Sequence, residues 1–176
     1  MEIIKTKIPG VIVFQPEIFL DERGYLIESY NEFFYKDLIE DVNFVQDNES
    51  KSKYGVLRGL HFQKKPFEQA KLIRVVRGEI QDVVVDIRPN STTFKKYFSI
   101  ILNDQNRKQI YVPRGFAHGF LVLSKEAIVV YKLDTSYNSD YSDGLMYNDP
   151  SIGISWKLND KEIILSKKDK KWKLLK

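Results

Sequence analysis

The stretch "KLIRVVRGEIQDVVVDI", residues 71–87, contains two short apolar runs that are separated by the turn residue Gly78. Runs of this length that are rich in valine and isoleucine and bounded by turn residues are typical of β-strands. Similar runs recur along the chain at short, regular spacing, which predicts a mainly β sandwich or barrel with about ten or more strands. The predicted strands are EIIKT, VIVF, YLIESY, NFVQDN, VLRGLHF, KLIRVV, EIQDVVVDI, YFSIIL, QIYV, GFLVL and AIVVYKL.

One helix is predicted, over the stretch "NEFFYKDLIE", residues 31–40. Asn31 is a residue type that caps helix N-termini. Four apolar residues would share one face of this helix, namely Phe33, Phe34, Leu38 and Ile39. The basic and aliphatic C-terminal segment could hold a second short helix. No linker, low-complexity segment or repeat period divides the chain, so residues 1–176 are predicted to form a single domain.

The composition excludes several classes of protein. The chain has no cysteine, so disulfide frameworks and thiolate metal sites are excluded. The N-terminal residues lack the order of a secretory signal, and no apolar run approaches the length of a membrane span. We therefore expect a cytoplasmic protein with no membrane contact.

The formal net charge of +4 is concentrated at the C-terminus. Residues 165–176 contain six lysines and Asp169, which together carry +5 and leave a charge of −1 on the rest of the chain. A lysine-rich end is usually solvated, and the rest of the sequence has no stripe of arginine and lysine interleaved with aromatic residues. A nucleic-acid partner is therefore not expected.

Both histidines of the chain follow an Arg-Gly pair, in "RGLHF" (58–62) and in "RGFAHGF" (114–120). The second lies in "VPRGFAHGF", whose Pro-x-Gly-x-x-His pattern resembles the second signature of the cupin superfamily, the double-stranded β-helix barrels of the jelly-roll class. The first cupin signature normally supplies a His-x-His pair and a nearby glutamate as metal ligands, but Gln63 stands here where the second histidine belongs. Two histidines are too few for a typical transition-metal site, even with Glu68 as a weak third ligand, so no metal or other cofactor is expected.

Without a metal, His61 is either a hydrogen-bonded core histidine or a general base. Lys71 and Tyr131 also lie inside apolar strands. Each has an ordinary explanation, because lysine stems cover apolar surface and buried tyrosines satisfy their hydroxyl groups. Together, a base, a cation and a phenol in one barrel are what proton transfer beside a carbonyl group requires.

Seven colinear stretches give the chain a more specific resemblance. From about Ile4 to Trp172 the sequence is similar to the successive motifs of the dTDP-4-dehydrorhamnose 3,5-epimerases, a family of metal-free dimeric cupins. The stretches are FLDERGYLIESYN, FVQDNESKSKYGVLRGLHFQ, QAKLIRVVRGEIQDVVVDIR, VPRGFAHGFLVLS, VVYKLDTSY, YNDPSIGISW and LSKKD.

The resemblance implies a role for each of four residues. His61 would be the base that removes a proton from the carbon next to the 4-keto group of the sugar. Asp169 would hydrogen-bond the imidazole and stabilise its protonated form. Tyr131 would return a proton to the opposite face, and Lys71 would stabilise the enolate.

The resemblance also implies a set of substrate-binding residues. Those expected to hold the nucleotide diphosphate are Arg23, Glu28, Gln46, Asp47, Asn48, Arg58, His118 and Lys168, with Phe19 and Tyr137 placed to stack on the base. In such dimers the N-terminal strands commonly cross to the partner, so Arg23 and Glu28 would serve the neighbouring subunit's site. Without the resemblance, these two residues would be a surface pair in a turn.

One geometric condition follows from these roles. Arg58 and His61 are three residues apart and would face opposite sides of a regular strand, although both are expected at the pocket. Gly59 between them could host a β-bulge that re-aims one side chain. The roles of these two residues therefore predict a backbone irregularity within residues 57–62.

The expected substrate is a nucleotide-diphospho-4-keto-6-deoxy sugar, and the resemblance favours dTDP-4-dehydro-6-deoxy-D-glucose with inversion at C3 and C5. The chain departs from the family pattern at Ser142, where the family often has glutamate, and at Tyr147, where it often has tryptophan. Alternatives within the class are inversion at C3 or C5 only, or a hexose or heptose carried on GDP or CDP. A non-catalytic sugar-binding cupin module is the alternative from another class, followed by a metal-dependent cupin enzyme.

Overall fold

The computed structural model describes residues 1–36, 38–39 and 42–175, and this part of the chain is mainly β. The strands are β1 (Glu2–Lys5), β2 (Ile12–Gln15), β3 (Ile18–Asp21), β4 (Gly24–Ile27), β5 (Gln46–Lys53), β6 (Leu57–Gln63), β7 (Lys71–Arg77), β8 (Glu79–Asp86), β9 (Tyr97–Asn103), β10 (Gln109–Val112), β11 (Phe116–Val122), β12 (Glu126–Leu133) and β13 (Ser142–Gly144). The mainly β class predicted from the short apolar runs is confirmed.

The strands form two larger antiparallel sheets and one separate hairpin. The first sheet has the order β1-β2-β10-β7-β12-β5, the second has the order β13-β6-β11-β8-β9, and β3 pairs with β4. The order along each sheet differs from the order in the chain, because from β5 to β13 all consecutive strands except β8 and β9 lie in different sheets, as in a jelly roll. The cupin-type barrel predicted from the sequence is confirmed.

The main core lies between the inner faces of the two sheets. Ile73 and Val75 of β7 and Val129 of β12 pack there against Ile80 and Val84 of β8, and all five are fully buried. These residues follow the two-residue alternation of each strand, so their inward direction is set by sequence position. The same alternation decides which polar side chains point into the barrel.

The predicted helix is shorter than expected. Helix α1 spans Glu32–Lys36, and the Oδ1 atom of Asn31 accepts a hydrogen bond from the N–H of Phe33 at 3.1 Å, which confirms the predicted cap. The predicted apolar face is wrong for Phe33, whose side chain is 87% exposed, because Tyr35 occupies the buried face instead. The other predicted members, Phe34, Leu38 and Ile39, do pack with Tyr35. Asp37 and Glu40, also within the predicted helix, lie outside the described residues.

The segment after β13 covers the outer face of the second sheet. Leu145 and Ile152 pack there against Val83, Val85 and Ala117. The short helix expected near the C-terminus is a single 3₁₀ turn, Asp169–Lys171, and Lys176 lies outside the described residues. This path along the sheet brings the lysine-rich end of the chain next to β6.

Strand β5 differs from the sequence-based prediction. β5 consists of the polar stretch QDNESKSK and is an edge strand, whereas the apolar pattern predicted a strand that ends near its beginning. Its conformation follows from pairing with β12 along its whole length.

None of the helices in residues 1–36, 38–39 and 42–175 is long and apolar enough to cross a membrane.

Candidate active site

A cavity of about 500 Å³ opens at one end of the barrel, and it is lined by residues from both sheets and from the C-terminal segment. Eight of the predicted catalytic and substrate-binding residues line it: Asn48, Arg58, His61, Lys71, Tyr131, Tyr137, Lys168 and Asp169. All four residues expected to carry the chemistry are among them.

His61 and Asp169, which are 108 residues apart in sequence, form a hydrogen bond of 2.6 Å between Nε2 and Oδ1. The Asp169 side chain is 5% exposed, whereas the imidazole is about two-fifths exposed and is open to the cavity. The carboxylate is also held by the indole N–H of Trp172, which donates to the same Oδ1 atom at 3.1 Å. The pair is therefore a supported dyad in which the acid is buried and the imidazole is accessible.

The surroundings of Asp169 keep it ionised at neutral pH. Burial by itself raises the pKa of this carboxyl group. The hydrogen bond and charge of His61 and the hydrogen bonds of Ser166 and Trp172 lower it, and together they outweigh burial. The net pKa lies below the usual value of 3.8. An ionised carboxylate only accepts hydrogen bonds, so Nε2 of His61 carries the proton and Nδ1 is left as the proton acceptor of the neutral ring.

Lys71 and Tyr131 reach the cavity from the first sheet. Lys71 lies two residues before Ile73 on β7, and Tyr131 lies two residues after Val129 on β12, so strand alternation directs both inward. Burial lowers the pKa of Lys71 to about 8, although the nearby Asp82 carboxylate opposes this change. Lys71 is therefore a cation held in a site that favours its neutral form.

A bulge at Gly59 places Arg58 and His61 on the same side of β6. His118 pairs with His61 and Phe120 pairs with Arg58, so three steps along β6 match two steps along β11. Gly59 has φ +134°, and a Cβ atom there would lie 2.6 Å from the Cα atom of Gly119. The irregularity predicted within residues 57–62 is confirmed, and glycine is required at its centre.

His118 lies beside this site but does not line the cavity. It faces the barrel interior next to His61, is 7% exposed, and its Nε2 atom is 2.8 Å from Oδ2 of Asp82. Asp82 is completely buried, and its Oδ1 atom has no hydrogen-bond partner among the described residues. The binding role expected for His118 stays a prediction.

The other predicted binding residues lie outside the cavity of their own chain. Asp47 is on the opposite face of β5 from Asn48, where its carboxylate forms an ion pair of 3.0 Å with Lys132. Gln46 acts on the cavity indirectly, since its Oε1 atom accepts a hydrogen bond from the backbone N–H of Tyr137 at 3.0 Å. These binding roles also stay predictions.

The β3–β4 hairpin and the residues after it carry the remaining three. Phe19 is 53% exposed on β3, and Arg23 forms an ion pair of 2.6 Å with Asp21 in the turn. Glu28 accepts a hydrogen bond from Asn31 at 3.1 Å. None of the three lines the cavity of its own chain within the described residues.

Comparisons with known proteins agree with this geometry. A family model described as dTDP-4-dehydrorhamnose 3,5-epimerase matches residues 5–176. The dTDP-4-dehydrorhamnose 3,5-epimerase of Methanothermobacter thermautotrophicus is 51% identical over 174 residues, which is 98% of this chain and 93% of that protein. The chain belongs to the dTDP-4-dehydrorhamnose 3,5-epimerase family.

Solved structures of this family have the same fold. The dTDP-4-dehydrorhamnose 3,5-epimerase of Elizabethkingia anophelis NUHP1 matches with a TM-score of 0.94 and 46% identity, covering 99% of this chain and 96% of that one. The dTDP-6-deoxy-D-glucose-3,5-epimerase of Legionella pneumophila Philadelphia 1, solved in complex with dTDP-4-keto-L-rhamnose, matches with a TM-score of 0.95 and 43% identity, covering 99% and 92%.

Sequence reasoning missed Trp172 and Ser166 in this epimerase-family site. Trp172 donates to the dyad carboxylate, and the Oγ atom of Ser166 accepts a hydrogen bond from the N–H of Asp169 at 3.0 Å. One signal was available, because Trp172 is the single aromatic residue in the lysine-rich stretch 165–176. An indole in a solvated tail would be unusual, so its presence indicates a packed partner.

Gln63, at the position of the second cupin histidine, has a structural use in this family member. Its amide donates to the carbonyl of Phe67 at 2.7 Å and accepts from the N–H of Asn138 at 2.7 Å. No group of three or more histidine, aspartate or glutamate side chains within residues 1–36, 38–39 and 42–175 is arranged to hold a metal ion.

Proposed function

We propose that this chain is an isomerase that epimerises dTDP-4-dehydro-6-deoxy-D-glucose at C3 and C5 and yields dTDP-4-dehydro-L-rhamnose. The observation that carries the proposal is the 2.6 Å dyad of His61 and Asp169, which opens onto a cavity also lined by Lys71 and Tyr131. Family membership and the dTDP-sugar complex of the Legionella relative support the choice of substrate.

The first chemical step uses the dyad. Nδ1 of His61 removes the proton from C5 or C3, and the two electrons of the broken C–H bond form a C=C bond while the 4-keto oxygen becomes an enolate. The 4-keto group is essential because it acidifies both neighbouring carbons. Asp169 stabilises the imidazolium that forms and holds the ring in one tautomer, as the carboxylate of a catalytic triad does.

Lys71 and Tyr131 complete the reaction. The Lys71 ammonium neutralises the developing charge on the enolate oxygen, and its partial burial strengthens this interaction relative to water. Tyr131 donates its phenolic proton to the opposite face of the same carbon as the carbonyl re-forms. The substrate carbon is thereby inverted, and proton return from His61 to Tyr131 through solvent restores both groups.

Two cations at the cavity suit the diphosphate. Arg58 donates from Nε to Ser52 at 2.9 Å, and Lys168 donates from Nζ to Ser142 at 3.0 Å. Because both hydroxyl partners are neutral, these bonds leave the positive charges available to phosphate oxygens. Tyr137, more than half exposed beside the cavity, is available to stack on the thymine.

Incubation with dTDP-4-dehydro-6-deoxy-D-glucose in deuterated water tests the reaction. We expect deuterium at both C3 and C5, observed by NMR, and loss of exchange in His61→Ala with retained dTDP binding. Full exchange in His61→Ala would refute the base assignment.

Other outcomes would identify another function. Deuterium at one carbon only would indicate an epimerase that acts at C3 or at C5 alone. Exchange only with GDP or CDP sugars would show that the substrate carries that nucleotide and not dTDP. Binding of dTDP-sugars without any exchange would indicate a binding module, and activity that is lost on chelation would indicate a metal enzyme.

We further propose that the protein acts as a homodimer with exchange of N-terminal strands. Phe19, Leu20 and Leu26 expose large apolar surfaces on the β3–β4 hairpin, which suit burial against a second copy. In such a dimer the hairpin would bring Arg23 and Phe19 to the partner's cavity. A cytoplasmic location and action of residues 1–176 as one domain belong to the same proposal.

Mixing two variants that are each expected to be inactive tests the exchange. Arg23→Ala lacks the hairpin cation and His61→Ala lacks the base, so a heterodimer would contain one complete site if Arg23 serves the partner. We expect activity to recover after the two variants are unfolded together and refolded. No recovery, or a monomer in light scattering, would contradict the exchange.

A further inference from the structure

Gln63 is a buried amide that joins two loops at the mouth of the cavity, a first loop of residues 64–70 and a second loop of residues 134–141. It ends β6, lines the cavity two residues after His61, and is 5% exposed. Nε2 donates to the carbonyl of Phe67, and Oε1 accepts from the backbone N–H of Asn138, each at 2.7 Å. A buried amide that loses such partners pays the cost of desolvation without compensation, so both bonds are favoured to persist.

The second loop, residues 134–141, connects β12 to β13 and carries Tyr137. Its two ends are tied to the residues that follow β6. Asp134 accepts from the N–H of Ala70 at 2.7 Å, and the Tyr141 carbonyl accepts from the N–H of Lys64 at 2.9 Å. These contacts fix where the loop begins and ends, but they lie three or more residues from Tyr137.

Two glutamines bind the amides of Tyr137 and Asn138 in the middle of the loop, and Gln69 donates to the carbonyl of Thr135 at 2.6 Å nearer its start. Gln46 accepts from the N–H of Tyr137 at 3.0 Å, and Gln63 accepts from the N–H of Asn138. The two consecutive amides therefore bind side chains from β5 and β6. Because the Tyr137 ring is 56% exposed, its direction depends mainly on this anchored backbone.

We propose that Gln63 is a positioning residue that fixes the ring of Tyr137, the stacking platform for the nucleotide, relative to the proton acceptor His61. It thereby sets the affinity for the nucleotide. The inference rests on the proposed function, since it assigns Tyr137 to the base of a nucleotide sugar. Gln63 and His61 lie on one strand, so the anchor sets the distance from the stacking ring to the proton acceptor. A ring that is already oriented loses less conformational entropy on binding, which increases affinity.

Gln81 provides a matched control. It is 1% exposed, its Nε2 donates to the carbonyl of Ser155 at 2.8 Å, and its Oε1 accepts from the N–H of Lys157 at 2.8 Å. Nε2 also donates to the hydroxyl of Ser99 at 3.1 Å. Gln81 lies on β8 and does not line the cavity. Replacing either glutamine by methionine removes the same kind of backbone bridge from an equally buried place.

The test compares Gln63→Met with Gln81→Met in the full chain. We expect Gln63→Met to raise the Kd for dTDP and the KM for the sugar nucleotide about tenfold, with kcat changed by less than about threefold. Amide hydrogen exchange in residues 135–140 should accelerate. Gln81→Met should lower Tm by a similar amount, accelerate exchange near residue 156 and leave Kd and KM unchanged.

Two further variants keep the test decisive. Gln63→Glu, whose carboxylate can accept from Asn138 but cannot donate to Phe67, should give a smaller rise in KM and replaces Gln63→Met if that variant does not fold. In a Tyr137→Ala background, Gln63→Met should add little to the Kd, because the platform is already absent.

Unchanged KM and loop exchange in Gln63→Met, or an equal rise in KM in Gln81→Met, would overturn the positioning role. The proposed function fails separately, if the wild-type protein neither binds dTDP nor exchanges the sugar protons. In that case the hydrogen exchange of residues 135–140 still tests whether Gln63 anchors the loop.

Discussion

Replacing Lys71 by methionine should stabilise the protein at pH 7 while it removes most of the activity. The folded structure lowers the pKa of Lys71 from its ordinary value of 10.5 to about 8 because burial disfavours the charged form. A pKa difference of one corresponds to about 1.4 kcal/mol, so keeping this lysine charged in the folded state costs about 3 kcal/mol. Methionine has a similar length and no charge, so Lys71→Met should recover a free energy of unfolding of that order.

The pH dependence gives this prediction a definite sign. Between pH 8 and 10.5 the unfolded chain keeps the Lys71 proton and the folded chain loses it, so the stability of the wild type rises with pH in this window. Lys71→Met lacks this contribution. The advantage of the variant should therefore be largest below pH 8 and should disappear by about pH 10.5.

Urea unfolding of both proteins at pH 7 to 10.5, at equal protein concentration, measures the difference directly. Taking the difference cancels every other group that titrates in this range. The kcat of Lys71→Met should fall at least about a hundredfold, because the enolate loses its cation. A stability difference that does not change with pH, or a less stable variant at pH 7, would refute the reasoning.

Three further predictions concern the bulge and the dyad. In urea titrations, Gly59→Ala should lower the unfolding free energy by about 2 kcal/mol more than Gly24→Ala does. Both glycines have φ above +120°, but only the added methyl group at residue 59 would collide with a neighbouring strand. Equal losses would contradict this. Trp172→Phe should lower kcat about tenfold at unchanged dTDP affinity, since the dyad carboxylate loses a donor; a change confined to KM would contradict the assignment. Asp169→Asn should lower kcat at least a hundredfold. The folded pKa of Asp169 lies below 3.8, so the stability that its ionised carboxylate contributes is fully present above pH 3.8. That contribution is lost as acid protonates the carboxylate, and the unfolding free energies of the wild type and Asp169→Asn should therefore converge at low pH.

Several parts of the site could be predicted because they depend on local pattern. Lys71 and Tyr131 lie at inward positions that the alternation of β7 and β12 defines, so their direction follows from residue number alone. The bulge at Gly59 was predictable because two residues three apart were both assigned to one pocket, and glycine tolerates the backbone that this requires. The prediction that Phe33 would be buried was wrong because a short helix next to a sheet is oriented by the residues that it packs against, and not by its own apolar pattern.

The sequence by itself determined the strand periodicity and the inward polar positions, because strand geometry converts residue spacing into direction. The pairing of His61 with Asp169 was implied only by the resemblance to the epimerase family. Only the tertiary structure decided that Trp172 supports Asp169 and that Gln63 anchors the loop of Tyr137. The Gln63 contact joins segments that are 75 residues apart, and the Trp172 contact spans the single 3₁₀ turn of the C-terminal segment. The strand period encodes neither contact, because Trp172 reaches the dyad only when the C-terminal segment folds onto the barrel, and the Gln63 anchor depends on how two loops pack across it.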